Sequence, residues 1–181
     1  MGNIRRIRSV GLLVASAVLA SAGAAAGQDK AKLIGDMERL RGNVLQMLEA
    51  MPESGLRSAP TEGVRDFAQQ IEHVAVGAVN LVASGVDADR IPVGDPSVYL
   101  SSRAELARMV GAAFDQVKAM IEAMSQEELM SQGMLFGQVL TARWKIVQAA
   151  HEHGVWTLGS TVPYLRLNGA TPPAYDLVPG G

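Results

Sequence analysis

The sequence predicts an all-α fold, a four-helix bundle following a cleaved N-terminal signal, and three observations carry that expectation. Apolar residues recur at three- and four-residue steps over four long stretches, as one buried face of a helix requires. Hydrophobic residues make up 48% of the chain but aromatics only 4%, with nine Met and many Ala, Leu and Val as filler. That mix suits helices, whereas strands enrich β-branched and aromatic residues. Pro- and Gly-rich connections separate the periodic stretches, and 181 residues leave room for one domain.

Residues 1–27 read as a signal peptide and 28–181 as the bundle domain. Arg5, Arg6 and Arg8 form a basic start, Val10 to Ala22 an apolar run, and Ala24-Ala25-Ala26 a small-residue cleavage pattern. The apolar run is shorter than the roughly 20 residues a membrane span needs, so export with cleavage is expected. The location is then periplasmic or secreted. The Arg5-Arg6 pair raises a twin-arginine route, but its flanking residues fit that motif poorly. Losing three arginines leaves 13 basic residues against 18 acidic ones, moving the formal charge from −2 to −5. An acidic chain offers no electrostatic case for nucleic acid. The absence of cysteine excludes disulfides, thiolate metal sites, a thiol nucleophile and a lipoprotein anchor.

The first helix is expected from about Ala31 to Met51, with Ile34, Met37, Leu40, Val44, Leu48 and Met51 on one face. Pro52 to Gly63 is a loop, and Thr61 is the expected N-cap of a second helix reaching Ser84. Phe67, Ile71, Val74, Ala78 and Leu81 form its apolar stripe, and His73 falls on the shoulder of that stripe. The irregular stretch from Gly85 to Leu100 is long enough for a crossover between parallel helices 2 and 3. Ser102 and Glu105 open the third helix at capping-box spacing, and Ser125 with Glu128 predicts a further short turn over 126–130. Gly133 and Gly137 loosen the chain before a fourth helix from about Val139 to Leu167, bent at Pro163. Asn168-Gly169 stops that helix, and Pro172-Pro173 keeps it from resuming.

His73, His151 and His153 are the chain's histidines. His151 and His153 project about 200° apart around a helix, so they cannot share one ion, and one of them at most meets His73 inside the bundle. His153 shares a face with Ile146, Thr157 and Ser160, and His151 with Trp144, Val147 and Leu158. Both tryptophans of the fourth helix, Trp144 and Trp156, are expected in the core or a pocket wall. Gln70 and Asn80 flank His73 as candidate supporting groups, and Arg166 is expected to be solvated or to cap the helix end.

The run from Met51 to Ala75, MPESGLRSAPTEGVRDFAQQIEHVA, resembles the helix 1–helix 2 region of the DinB-like (DinB/YfiT) superfamily. The stretch GSTVPYLRLNGATPP is similar to that family's fourth-helix ending, a Gly-Gln or Gly-Asn pair followed by YLR-x-x-G-x-x-PP. The resemblance implies an up-down-down-up bundle with a metal held by one histidine of helix 2 and two of helix 4. By residue, these ligands fall on His73, His153 and Thr157, with Ser160 in the Gln/Asn position. A threonine is a poor substitute for imidazole, so the implied metal site is degenerate, its ligands reduced to His73 and His153. The implied ion is divalent: zinc, nickel or manganese. Neither Glu72 nor Glu152 should complete the shell, because each points about 100° from its neighbouring histidine.

The function expected is therefore that of an exported binding protein for a small molecule or a partner. The competing expectations are a metal-dependent transferase or hydrolase using an ion on His73 and His153, and a structural or oligomerising bundle. No nucleic acid and, after signal removal, no membrane is expected as a partner. A homodimer is expected because bundles of this kind often pair.

Overall fold

The structure is a computed structural model describing residues 29–177. The expected signal at 1–27 lies outside the described residues.

Helix α1 spans Lys30–Ala50 and is capped by Asp29, whose carboxylate accepts the Ala31 N–H at 2.9 Å. Its buried stripe runs through Leu33, Met37, Leu40, Val44 and Leu48, with Ile34 only at the margin. Helix α2, Phe67–Val86, starts later than Thr61. Asp66 is the N-cap: it accepts the Gln69 N–H at 2.8 Å while Gln69 Oε1 accepts the Asp66 N–H at 3.0 Å. Arg57 Nε pairs with the same carboxylate at 2.6 Å. Together these contacts outweigh the earlier threonine, which lies in a turn.

The connection to the next long helix contains one short turn, α3 (Pro96–Tyr99). It is pinned to α4 (Arg103–Ala123), where the Gln116 amide exchanges hydrogen bonds with the Ile91 backbone at 2.9 and 3.1 Å. Helix α5, Gln126–Met130, has the reciprocal capping box expected of Ser125 and Glu128. At α4 the box is half-made: Ser102 accepts from the Glu105 N–H, and the Glu105 carboxylate pairs with Arg108 instead.

The fourth helix departs most from expectation. Residues 132–142 form an antiparallel hairpin, β1 (Gln132–Leu135) against β2 (Val139–Ala142), and α6 begins only at Arg143. Phe136 and Gly137 both take left-handed φ, 51° and 68°, and Gln138 N–H closes the turn on Leu135 O at 3.0 Å. Gly133 lies against the C-terminal turn of α2, where a Cβ would overlap the Gly85 carbonyl. Phe136, Val139 and Leu140 are exposed. Helix α6 (Arg143–Gly159) stops before Pro163, and α7 (Val162–Leu167) restarts with that proline in its first turn. The proline ring collides with the carbonyl four residues earlier, at Gly159, so the expected bend is a break.

Four long helices pack around one core. Helix α1 neighbours α4 and α6, and α2 neighbours the same two, so α1 and α2 are largely diagonal to each other. Lys30 reaches the Met124 carbonyl while the Arg103 N–H donates to Glu53 at 3.1 Å, so α1 and α4 run antiparallel. Gly85 lies against Ile146 and Gly77 against His153, so α2 and α6 are also antiparallel. The segment that meets the start of α4 through Glu53 also meets the start of α2, where Leu56 O accepts the Ala68 N–H at 2.8 Å. Helices α2 and α4 thus start at the same end and run parallel, which is why a long crossover joins them. Leu40, Phe67, Ile71, Leu106 and Ile121 are fully buried, each contributing about 1.5–3 kcal/mol from removed apolar surface. The tail lies along α1, where Asp176 N–H donates to Asn43 Oδ1 at 2.8 Å. Among the described residues no helix is long and apolar enough to cross a membrane.

Candidate functional site

His73 sits seven residues into α2, half-buried at the edge of the stripe made by Ile71, Val74 and Ala78. His153 projects from α6 toward it. The two rings meet edge to face, with centroids 5.0 Å apart and planes at 78°. Gly77 makes this approach possible: a Cβ there would stand 2.9 Å from His153 Cε1 and 3.3 Å from Nδ1. His153 Nδ1 is buried without a hydrogen-bond partner.

His151 points the other way, as helical geometry requires. It is half-buried toward α1 near Asp36 and Arg39, and its Nε2 is also buried without a partner. The structure thus brings together two of the three histidines.

The imidazole pair opens into a cavity of about 350 Å³. Arg65, Gln70 and His73 line it from the α2 side, and His153, Trp156, Thr157 and Ser160 from α6. Thr157 takes the place on this wall that the resemblance reserves for a third imidazole. Its hydroxyl has no hydrogen-bond partner among the described residues, while the Ser160 hydroxyl donates to the Thr157 carbonyl at 2.6 Å. Tyr164 of α7 ties the opposite wall together: its hydroxyl donates to the Arg65 carbonyl at 2.8 Å and accepts from Gln70 Nε2 at 3.2 Å.

The nearby carboxylates are engaged elsewhere. Glu72 accepts from the Tyr99 hydroxyl at 2.6 Å, and burial together with that carboxylate pushes the Tyr99 phenol up. Glu152 accepts from Gln148 at 3.0 Å. Asn80, a candidate supporting group, accepts from Arg90 at 2.8 Å and does not line the cavity. Burial first, and the Arg65 guanidinium second, hold both His73 and His153 below the ordinary imidazole value of 6.5. The rings are neutral at pH 7, and each can both donate and accept a hydrogen bond.

Among the lining residues, Arg65 had not been singled out from the sequence. It lies in the loop before α2, where no periodicity marks it. Trp156, expected in the core or a pocket wall, takes the second of these places: it lines the cavity, at its rim and 84% exposed. Its two-residue offset from Gly154 and Leu158, both buried, is the signal that could have placed it outward.

The donor set does not fit a closed divalent-metal site. Among the described residues no third His, Cys, Asp or Glu joins His73 and His153 in a group that could hold an ion. A stable tetrahedral site uses three protein ligands or more.

Comparison with known proteins places this geometry in a family. No curated protein matches the chain. The crystal structure of a DinB-like protein from Bacillus subtilis superposes with a TM-score of 0.65 at 14% identity, covering 80% of this chain and 98% of that one. At that identity the likeness concerns the fold alone. The family model described as the DinB superfamily matches residues 36–159, a span that begins inside α1, contains both histidines of the pair and ends with α6. With most of its length matched in this way, the chain belongs to the DinB superfamily.

Proposed function

We propose that this DinB-superfamily chain is an exported binding protein for a small molecule, whose ancestral metal site has become a two-histidine polar pocket. The observation that supports this reading is the composition of the cavity wall. Two neutral imidazoles meet edge to face at its wall, and Thr157, not a third ligand, stands beside them. Export rests on the N-terminal pattern of Arg5, Arg6, Arg8 and the apolar run that follows.

A second reading, a metal-dependent transferase or hydrolase, is favoured by one feature. His153 Nδ1 is buried without a partner, and an orphaned imidazole nitrogen is what a missing ligand leaves behind. Metal analysis of the purified protein separates the two. The binding reading expects no stoichiometric zinc, nickel or manganese, and no thermal shift on adding them. It also expects Thr157→His to gain a bound ion, because i,i+4 spacing places the new imidazole beside His153. A stoichiometric ion in the native protein, lost in both His73→Ala and His153→Ala, overturns it.

A further inference from the structure

We propose that the ligand of this cavity is a small aromatic anion, its carboxylate or phosphate held by Arg65 and its ring laid on Trp156. The inference rests on the small-molecule-pocket reading and specifies the class of molecule.

Charge gives the first argument. Among the described residues Arg65 is the one fully charged side chain on the wall, and no carboxylate of theirs shares the cavity with it. It makes no ion pair among the described residues, although acids stand close in sequence. Asp66 is committed to Arg57 and to the α2 cap, Glu72 to Tyr99, and Glu62, three residues before Arg65, does not reach it. A guanidinium presents a planar fork of donors matched to carboxylate and phosphate oxygens. This fork is left without a counter-ion beside a concave surface.

Positioning gives the second. The Tyr164 hydroxyl holds the Arg65 backbone and the Gln70 amide at once, so a loop residue and a helix residue are fixed to one anchor on α7. Such anchoring reduces the ordering cost of binding. On the facing wall His153 and the Thr157 hydroxyl, which has no partner among the described residues, offer further donors, and His73 offers one beside Arg65. Arg65 also helps keep those imidazoles neutral, so the pocket carries one formal positive charge and suits a singly charged headgroup.

Trp156 gives the third. Its indole is 84% exposed at the rim of a cavity whose remaining wall is polar. An aromatic face so placed is a stacking platform for a planar ring. Arg65 and Trp156 thus define a ligand with an anionic end and a flat end.

The test uses four probes on the purified, EDTA-treated protein: benzoate, phenylphosphonate, benzyl alcohol and benzylamine. NMR follows the Trp156 indole N–H and the imidazole signals of His73 and His153. Benzoate and phenylphosphonate should shift these signals saturably, and the neutral and cationic analogues should not. Arg65→Gln should weaken both anions about tenfold or more, and Trp156→Ala should weaken them while leaving the preference for charge intact. Both residues are exposed, so neither change threatens the fold. Equal binding of benzyl alcohol or benzylamine, or anion binding unchanged in Arg65→Gln, overturns the anion assignment and leaves the pocket reading standing. If none of the four probes shifts the signals of Trp156, His73 or His153, the pocket reading falls as well.

Discussion

Replacing Gly77 by alanine should leave the stability of the bundle nearly unchanged and still disrupt the histidine pair. Gly77 lies in the middle of α2, where alanine is favoured over glycine by about 0.8–1.0 kcal/mol. The new Cβ would stand 2.9 Å from His153 Cε1, tighter than a side-chain contact tolerates, so the ring must retreat by a few tenths of an ångström. His153 borders an open cavity and can swing into it, at an off-rotamer cost of about 0.5–1.5 kcal/mol. The two effects nearly cancel, giving a net change within about 1 kcal/mol of zero. Gly154→Ala is the contrasting control. Its Cβ would overlap Leu40, which is fully buried and has no cavity to retreat into. Overpacking of that kind costs about 1–3 kcal/mol, more than the helix preference returns. Urea unfolding gives the stabilities, and the His153 imidazole resonances give the site. A loss above about 2 kcal/mol in Gly77→Ala, or unmoved His153 resonances, would refute the placement of His153 between α2 and the cavity.

The N-cap of α2 sits on Asp66, so Asp66→Ala should cost about 1 kcal/mol in urea unfolding, whereas Thr61→Ala should cost almost nothing. Asn43→Ala removes the side chain that exchanges hydrogen bonds with Asp176, and hydrogen exchange at the Asp176 amide should accelerate while exchange in the core of α1 holds. Burial holds His151 below 6.5, with Arg39 and Lys32 adding to the effect and Asp36 and Glu152 opposing it. The folded state therefore binds fewer protons than the unfolded one, and this contribution is full above pH 6.5 and lost as pH falls through the lowered value. His73 and His153 carry the same sign. Thermal stability should fall in this window, ahead of the separate loss when Asp36 protonates below 3.8, and His151→Met should flatten part of the first step.

Local chemistry made much of the helical frame legible. The three- and four-residue steps of α1 and α4 mark one face each, and Ser125 with Glu128 marks α5 within a residue. Helical geometry alone separated His151 from His153 and put His73 on a shoulder. The hairpin was not legible, because Val139-Leu140-Thr141-Ala142 continues the helical pattern and its strands bury neither face completely. Its turn depends on a left-handed Phe136, a conformation the residue type argues against. The start of α2 was hidden for a different reason. Thr61 and Asp66 are both acceptable caps, and the choice is made by Arg57, a contact across a loop. Arg65 belongs to the same class: its place on the cavity depends on Tyr164, ninety-nine positions away.

The parallel pairing of α1 with α6 also has a kinetic consequence. Gly154 of α6 packs on Leu40 of α1, and His153 on Gly77 of α2, so the last long helix closes the bundle against both of its earlier partners. A chain that has emerged only as far as the hairpin has α1, α4 and α2 but leaves their α6-facing apolar surfaces bare. Contacts of such wide sequence separation are the slow ones to form. An arrested or truncated chain would hold three helices around an open, sticky trough. The cavity, lined from both the α2 side and α6, exists only once α6 has docked.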